Sequence, residues 1–149
     1  MKFFKLGLDI HGVIDRHPDS FVELANNVAL KKQGEIHIIT GIPYSKEVED
    51  FLLRINHQRK WWTHYFSIET SLLEKGVEFE LINGNKYFKT DVWNKEKGLY
   101  CADNEIDMHI DDQQEYLKSF TTPSMLYTDP NIPSTTNELY EMVTAPKLG

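Results

Sequence analysis

The sequence holds a single cysteine, Cys101. One cysteine excludes a disulfide framework and fits a reducing compartment. It stands in Lys97-Gly98-Leu99-Tyr100-Cys101-Ala102, a stretch that reads as helix, where a small buried apolar side chain accounts for it better than a nucleophile does. No apolar run approaches the length that crosses a bilayer. The opening Met1-Lys2-Phe3-Phe4-Lys5-Leu6 is too short and too soon charged for a signal peptide. A cytoplasmic protein without a membrane partner is expected. There is no block of basic residues: 16 Lys and Arg stand against 23 Asp and Glu, for a formal charge of −7. That balance argues against a nucleic-acid backbone as the main partner, and the acidity itself reads as solubility. Repeats and low-complexity segments are also missing.

What is present suits one domain. A chain of 149 residues can bury a single core, and its 40% hydrophobic and 26% charged shares are ordinary for a globular protein. Residues 3–10 form an apolar run that ends in Asp9-Ile10-His11-Gly12 and reads as a buried strand. Asp19 or Ser20 can cap a helix with Phe21, Leu24, Val28 and Leu30 on its apolar face, stopped by Gly34. Residues 35–40 read as a second buried strand. Ser45 can cap the next helix, which carries Val48, Phe51, Leu52 and Ile55. Residues 61–68 suggest a third strand, 70–75 a short helix stopped by Gly76, and 77–82 a small strand turned by Asn83-Gly84-Asn85. Asp91 or Asn94 begins a helix to about Asp103. Residues 106–110 form a strand ending in Asp111-Asp112, a helix carries Tyr116, Leu117 and Phe120, and 124–127 form a last strand. The core spans residues 3–128. The tail, 129–149, is expected to wrap the surface with one helical turn near 137–143.

Strands alternating with helices predict an α/β, Rossmann-like three-layer sandwich with a mostly parallel sheet. Ligands then bind beyond the carboxyl ends of the strands, where Asp9, Thr40 and Asp111 fall. A carboxylate at Asp9, before the tight turn that Gly12 permits, can ligate a hard cation or attack phosphorus; a turn-capping role is the plain alternative. Thr40-Gly41 offers a hydroxyl and a backbone N–H suited to a phosphate oxygen. Asp111 and Asp112 place two acids at one strand end, which repel unless a cation or helix N-terminus offsets them. Magnesium takes one or two carboxylates plus waters and phosphate oxygens. Lys95 and Lys97, at the start of the preceding helix, are the candidates for holding phosphate.

The order strand-Asp, strand-Thr, Lys, strand-Asp-Asp resembles the four motifs of the haloacid-dehalogenase-like hydrolase superfamily. The first motif is similar to Leu6-Gly7-Leu8-Asp9-Ile10-His11-Gly12-Val13-Ile14 and the second to Ile36-His37-Ile38-Ile39-Thr40-Gly41. The third falls on Lys97, or else Lys95. The fourth is similar to Met108-His109-Ile110-Asp111-Asp112. The order differs from phospho-receiver domains, where the acidic pair comes first. The resemblance implies a magnesium-dependent phosphatase that hydrolyses a phosphomonoester through an aspartyl-phosphate. Asp9 would be nucleophile and metal ligand. Asp111 and the backbone carbonyl of His11 would complete the protein ligands, with Asp112 beside them. Thr40, Gly41 and Lys97 would bind the phosphoryl group.

One position departs from the pattern. The superfamily's phosphatases usually carry a second Asp two residues after the nucleophile, as acid and base, and here that residue is His11. Histidine can give a proton to a leaving oxygen, so one reading is an active phosphatase with a histidine acid. The other is a weak or inactive protein that binds metal and a phosphorylated ligand or partner in a regulatory role. Little chain separates Asp9 from Thr40, and the 77–88 excursion is short, so a small flap is expected and no full cap domain. The implied substrate is a small phosphorylated molecule, with a nucleotide among the candidates. Trp61-Trp62 and Tyr65-Phe66 could stack on a base, though core packing explains them better. His109, two residues before Asp111, can share its face of the sheet.

Overall fold

The computed structural model describes residues 3–128 and 136–145. Short apolar runs make a five-stranded sheet of β1 (Lys5–Leu8), β2 (Glu35–Thr40), β3 (His64–Ser67), β6 (Met108–Asp111) and β7 (Ser124–Leu126). The order is β3-β2-β1-β6-β7 and every pairing is parallel. Successive residues of a strand point to opposite faces. Leu6, Leu8, Ile36, Ile38, Met108 and Ile110 therefore share one face. They join Phe21, Leu24 and Val28 of α1 (Pro18–Lys32) and Leu52 of α2 (Lys46–Arg54) in the main core. On the other face Ile39 packs with Ile106 and with Cys101 of α4 (Thr90–Asp103), beside Phe66, Tyr100 and Phe120. The architecture is a parallel α/β sheet flanked by helices, compatible with a Rossmann-like three-layer sandwich.

Trp61 and Trp62 are buried in the main core, with the Trp61 indole N–H donating to Leu52 O at 2.8 Å. Ser45 caps α2 by accepting from Val48 N at 3.2 Å. Three expectations for α1 need correction. It begins at Pro18 behind His17 with no side-chain cap, so neither Asp19 nor Ser20 caps it; proline presets the first helical φ. Leu30 is 80% exposed, because two residues beyond Val28 is about 200° around the helix. The left-handed residue that ends α1 is Gln33 (φ 49°) and not Gly34. Gly34 serves close approach: a Cβ there would lie 2.6 Å from both Phe4 O and Val28 Cγ1.

Between α2 and α4 the chain holds β3, α3 (Ile68–Glu74) and an antiparallel hairpin of β4 (Glu80–Ile82) and β5 (Asn85–Tyr87). Asn83 (φ 52°) and Gly84 (φ 81°) turn the hairpin, as a two-residue hairpin loop requires. Among the described residues the hairpin pairs with no strand of the main sheet and no cap domain accompanies it. The last helix, α6 (Thr136–Thr144), is longer than the expected single turn. Its Leu139, Tyr140 and Val143 are buried in the main core against α1. The other tail residues, 129–135 and 146–149, lie outside the described residues. Among the described residues no helix is long and apolar enough to cross a membrane.

Candidate functional site

The strand order places a reversal at β1. The chain runs outward through β2 and β3, then returns to lay β6 on the other side of β1. Such a reversal opens a crevice at the carboxyl ends of the strands. Asp9 follows β1 and Asp111 ends β6, so the crevice lies between two carboxylates. The turn Ile10–Ile14 leaves β1 with wide backbone bonds, Ile14 N to Asp9 O at 3.3 Å and Asp15 N to Ile10 O at 3.0 Å. Gly12 holds φ 83° within it, a conformation that side-chain-bearing residues rarely adopt.

Lys97 reaches in from α4 and is 1% exposed. Its Nζ donates to Asp111 Oδ2 at 2.6 Å, lies 3.3 Å from Asp9 Oδ1 and stands 4.3 Å from the centre of the Tyr116 ring. Lys95 is exposed, so of the two lysines only Lys97 meets the acids. His109 Nε2 also donates to Asp111 Oδ2, at 2.9 Å, and Gln113 N donates to Asp111 Oδ1 at 3.1 Å. Asp9 Oδ1 takes the Ile10 N–H at 2.9 Å. Thr40 is buried at the end of β2. The following loop is fixed by Ser67 Oγ and Glu69 N, which donate to Gly41 O at 3.1 and 3.3 Å. Asp9, His11, Gly12, Thr40, Gly41, Lys97 and Asp112 line one cleft of about 250 Å³ together with Gln113 and Tyr116.

The electrostatics separate the carboxylates. Burial pushes Asp9 up to about 7, helped by Asp111 and Asp112 and resisted by Lys97. Asp112 is raised by burial and by Asp111. Burial pushes Asp111 up too, but the hydrogen bonds and charges of His109 and Lys97 outweigh it and hold the carboxyl at about 2. Burial depresses Lys97, yet its two carboxylate neighbours raise it above its ordinary value, so it stays charged. Complete burial lowers His109, against the hydrogen bond and charge of Asp111, which raise it.

One oxygen from each of Asp9, Asp111 and Asp112 lies within 4.8 Å of the others. Among the described residues Lys97 is the one cation in contact with Asp9 and Asp111. Fully ionised, the group carries two negative charges in excess. Asp112 Oδ1 is buried and has no hydrogen-bond partner. All-oxygen donors, an excess of two charges and an orphaned buried oxygen fit a hard divalent cation.

The His11 side chain sits at the mouth of the cleft and is 67% exposed, with Nδ1 3.2 Å from Asp15 Oδ2. Asp15 Oδ1 accepts the Gly12 N–H at 2.8 Å, so one carboxylate braces both the turn and the imidazole. Ile42, Gln113 and Tyr116 are the cleft residues that sequence reasoning missed, together with Asp15, which braces His11 from outside the cleft lining. Asp15 reads as an ordinary turn residue and Tyr116 as the apolar face of a helix. The spacing of Asp15 four residues after His11 was the available signal for the first. Tyr116 is held by the Trp93 indole N–H, which donates to its oxygen at 3.1 Å. Cys101 is buried, and burial pushes its thiol up to about 12.

No protein-family model matches the chain, and no curated protein or solved structure matches it. Fold and cleft together define a parallel α/β protein with a lysine-bridged acidic crevice at its sheet reversal.

Proposed function

We propose that the protein is a magnesium-dependent phosphatase acting on small phosphomonoesters. The observation that carries this reading is the group of buried Asp9 and Asp111 and half-buried Asp112, with Lys97 the only cation among the described residues that contacts Asp9 and Asp111. Asp9 is the nucleophile. Its Oδ1 is engaged by Ile10 N–H and faces Lys97, and its carboxylate attacks phosphorus to give an aspartyl-phosphate while the bond to the leaving oxygen breaks. Thr40, the Gly41 N–H and the Lys97 ammonium hold the phosphoryl oxygens, and His11, oriented by Asp15, gives the leaving oxygen its proton. Water then attacks the acyl-phosphate, returns Asp9 and releases phosphate, with His11 taking the proton back. Asp9, Asp111 and the His11 carbonyl would hold magnesium, with Asp112 beside them, and the ion supplies positive charge to the phosphate and favours ionised Asp9. His109 fixes Asp111 by its hydrogen bond.

A second reading is binding without turnover. The exposure of His11 favours it, since a donor open to water lacks the enclosure that sharpens acid catalysis. Both readings are separated by hydrolysis of a generic aryl phosphate with and without magnesium from pH 5 to 8. Metal-dependent turnover lost in Asp9→Asn supports the phosphatase. Magnesium binding with no turnover in that range overturns it in favour of the binding protein.

A further inference from the structure

The same sheet carries a second group of donors that the crevice does not use. Glu35 and His37 lie two apart on β2 and so share a face, and His64 is the register partner of His37 on β3. The two imidazoles lie parallel, with centroids 4.2 Å apart and 4° between planes. Glu35 Oε1 is 2.8 Å from His37 Nε2. One donor atom from each of the three residues lies within 4.8 Å of the other two. Counted along β2, His37 is three residues from Thr40, or about 10 Å, so this group is separate from the acidic crevice.

We propose that Glu35, His37 and His64 form a site for a borderline transition-metal ion, Zn²⁺ in the first place. Two imidazole nitrogens and one carboxylate oxygen are a donor set that zinc takes in sites with an open fourth position. The neighbouring hydroxyls prepare it. Thr63 Oγ1 donates to Ile36 O at 3.0 Å, so its only proton is used and it accepts from His64 Nδ1 at 2.8 Å. That assigns the proton of His64 to Nδ1 and leaves the Nε2 lone pair bare. Tyr100 Oη is 2.6 Å from His37 Nδ1 and can accept from it once Nε2 turns to a metal. Ligating histidines characteristically have their second nitrogen engaged in this way, which fixes ring and tautomer.

Charge and packing are favourable. Glu35 brings a carboxylate to the set, and its Oε1 already meets His37 Nε2 at 2.8 Å. Lys5 is the opposing charge, and its Nζ is tied to Asn104 O at 2.9 Å. Tyr100 stacks on Phe66, with centroids 4.3 Å apart, and closes one side of the site. Coordination at about 2.0–2.2 Å brings tetrahedral donors to about 3.4 Å from one another. His64 is exposed and the Glu35 side chain is 33% exposed, so both are free to turn inward onto the nearly buried His37.

The test is titration of tag-free protein with Zn²⁺ by calorimetry, in excess Mg²⁺ and in the Asp9→Asn background, which sets the acidic crevice aside. One equivalent of Zn²⁺ is expected to bind. His64→Ala, at an exposed position, and Tyr100→Phe, which removes only a hydroxyl, are each expected to weaken binding by about tenfold or more. Co²⁺ in place of Zn²⁺ should give visible absorption that His64→Ala abolishes. Absence of Zn²⁺ uptake under these conditions, or uptake of equal strength in folded His64→Ala, overturns the proposal.

Discussion

The carboxylate of Asp112 occupies the space that a side chain at Gly12 would need. A Cβ on Gly12 would fall 1.9 Å from Asp112 Oδ2 and 2.3 Å from its Cγ. Gly12 also holds φ 83°. Gly12→Ala is therefore expected to cost about 1–2 kcal/mol from backbone strain alone, and to push Asp112 away from Asp9 and Asp111. Thermal melts with and without Mg²⁺ check this: the melting temperature falls, and the rise that Mg²⁺ gives to the unmodified protein shrinks.

Asp9 sets a pH dependence. Its carboxyl lies near 7 in the folded chain against an ordinary 3.8. Between those values the folded state keeps a proton that the unfolded state has lost, so stability falls as pH rises, by at most about 1.4 kcal/mol per pH unit. Without divalent cations, the stability advantage of Asp9→Asn over the parent should grow from pH 4 to 7 and level off above. Chemical denaturation across that range measures it. An advantage independent of pH would contradict a raised Asp9.

Lys97 links two buried acids, so removing it leaves both without their ammonium partner. Lys97→Met is expected to cost about 3–5 kcal/mol, the usual result of breaking a buried pair from one side. Mg²⁺ should restore part of the loss, because a cation held by the same acids replaces the missing charge. Denaturation midpoints with and without Mg²⁺ read this directly, and phosphatase turnover should be lost even where the fold is restored.

His11 carries the proton in the proposed reaction. His11→Ala is expected to lower turnover of a substrate with a poorly leaving alkoxide by about 10²–10⁴-fold. It should affect an aryl phosphate much less, since a stable phenolate departs without help. Equal losses on both substrates would remove His11 from the acid role.

Gly7 is a second glycine where backbone and site meet. A Cβ there would lie 2.7 Å from Ile39 Cδ1 and 2.8 Å from His109 Nδ1. Gly7→Ala should cost about 1–3 kcal/mol by overpacking. It should also loosen the His109 bond to Asp111, visible as weaker Mg²⁺ binding in calorimetry.

Most of the strands were legible because each is a short apolar run with a polar end. Residues 35–40 are the clearest case, and the parallel order follows from the helices between strands. The meeting of Asp9, Thr40 and Asp112 in one cleft could be anticipated from strand ends, because parallel strands bring all those ends to one edge. Other features depend on three-dimensional neighbours and leave little local trace. Gly34 looks like a helix stop and is a contact point against Phe4, while Gln33 takes the left-handed backbone. Tyr116 looks like core and faces a lysine. His37 and His64 are 27 residues apart and become partners only through the register of β2 and β3. The choice between Lys95 and Lys97 rests on which side of α4 packs against the sheet.

The place of β1 between β2 and β6 also governs how the site comes into being during synthesis. Asp9 is made before Asp111, which follows 102 residues later. Until β6 emerges, β1 has an open edge and Asp9 has no Asp111 beside it. Contacts this distant in sequence close slowly. A ribosome-bound chain ending before Met108 should thus hold a partial sheet with no crevice, and acquire both together when the sixth strand docks.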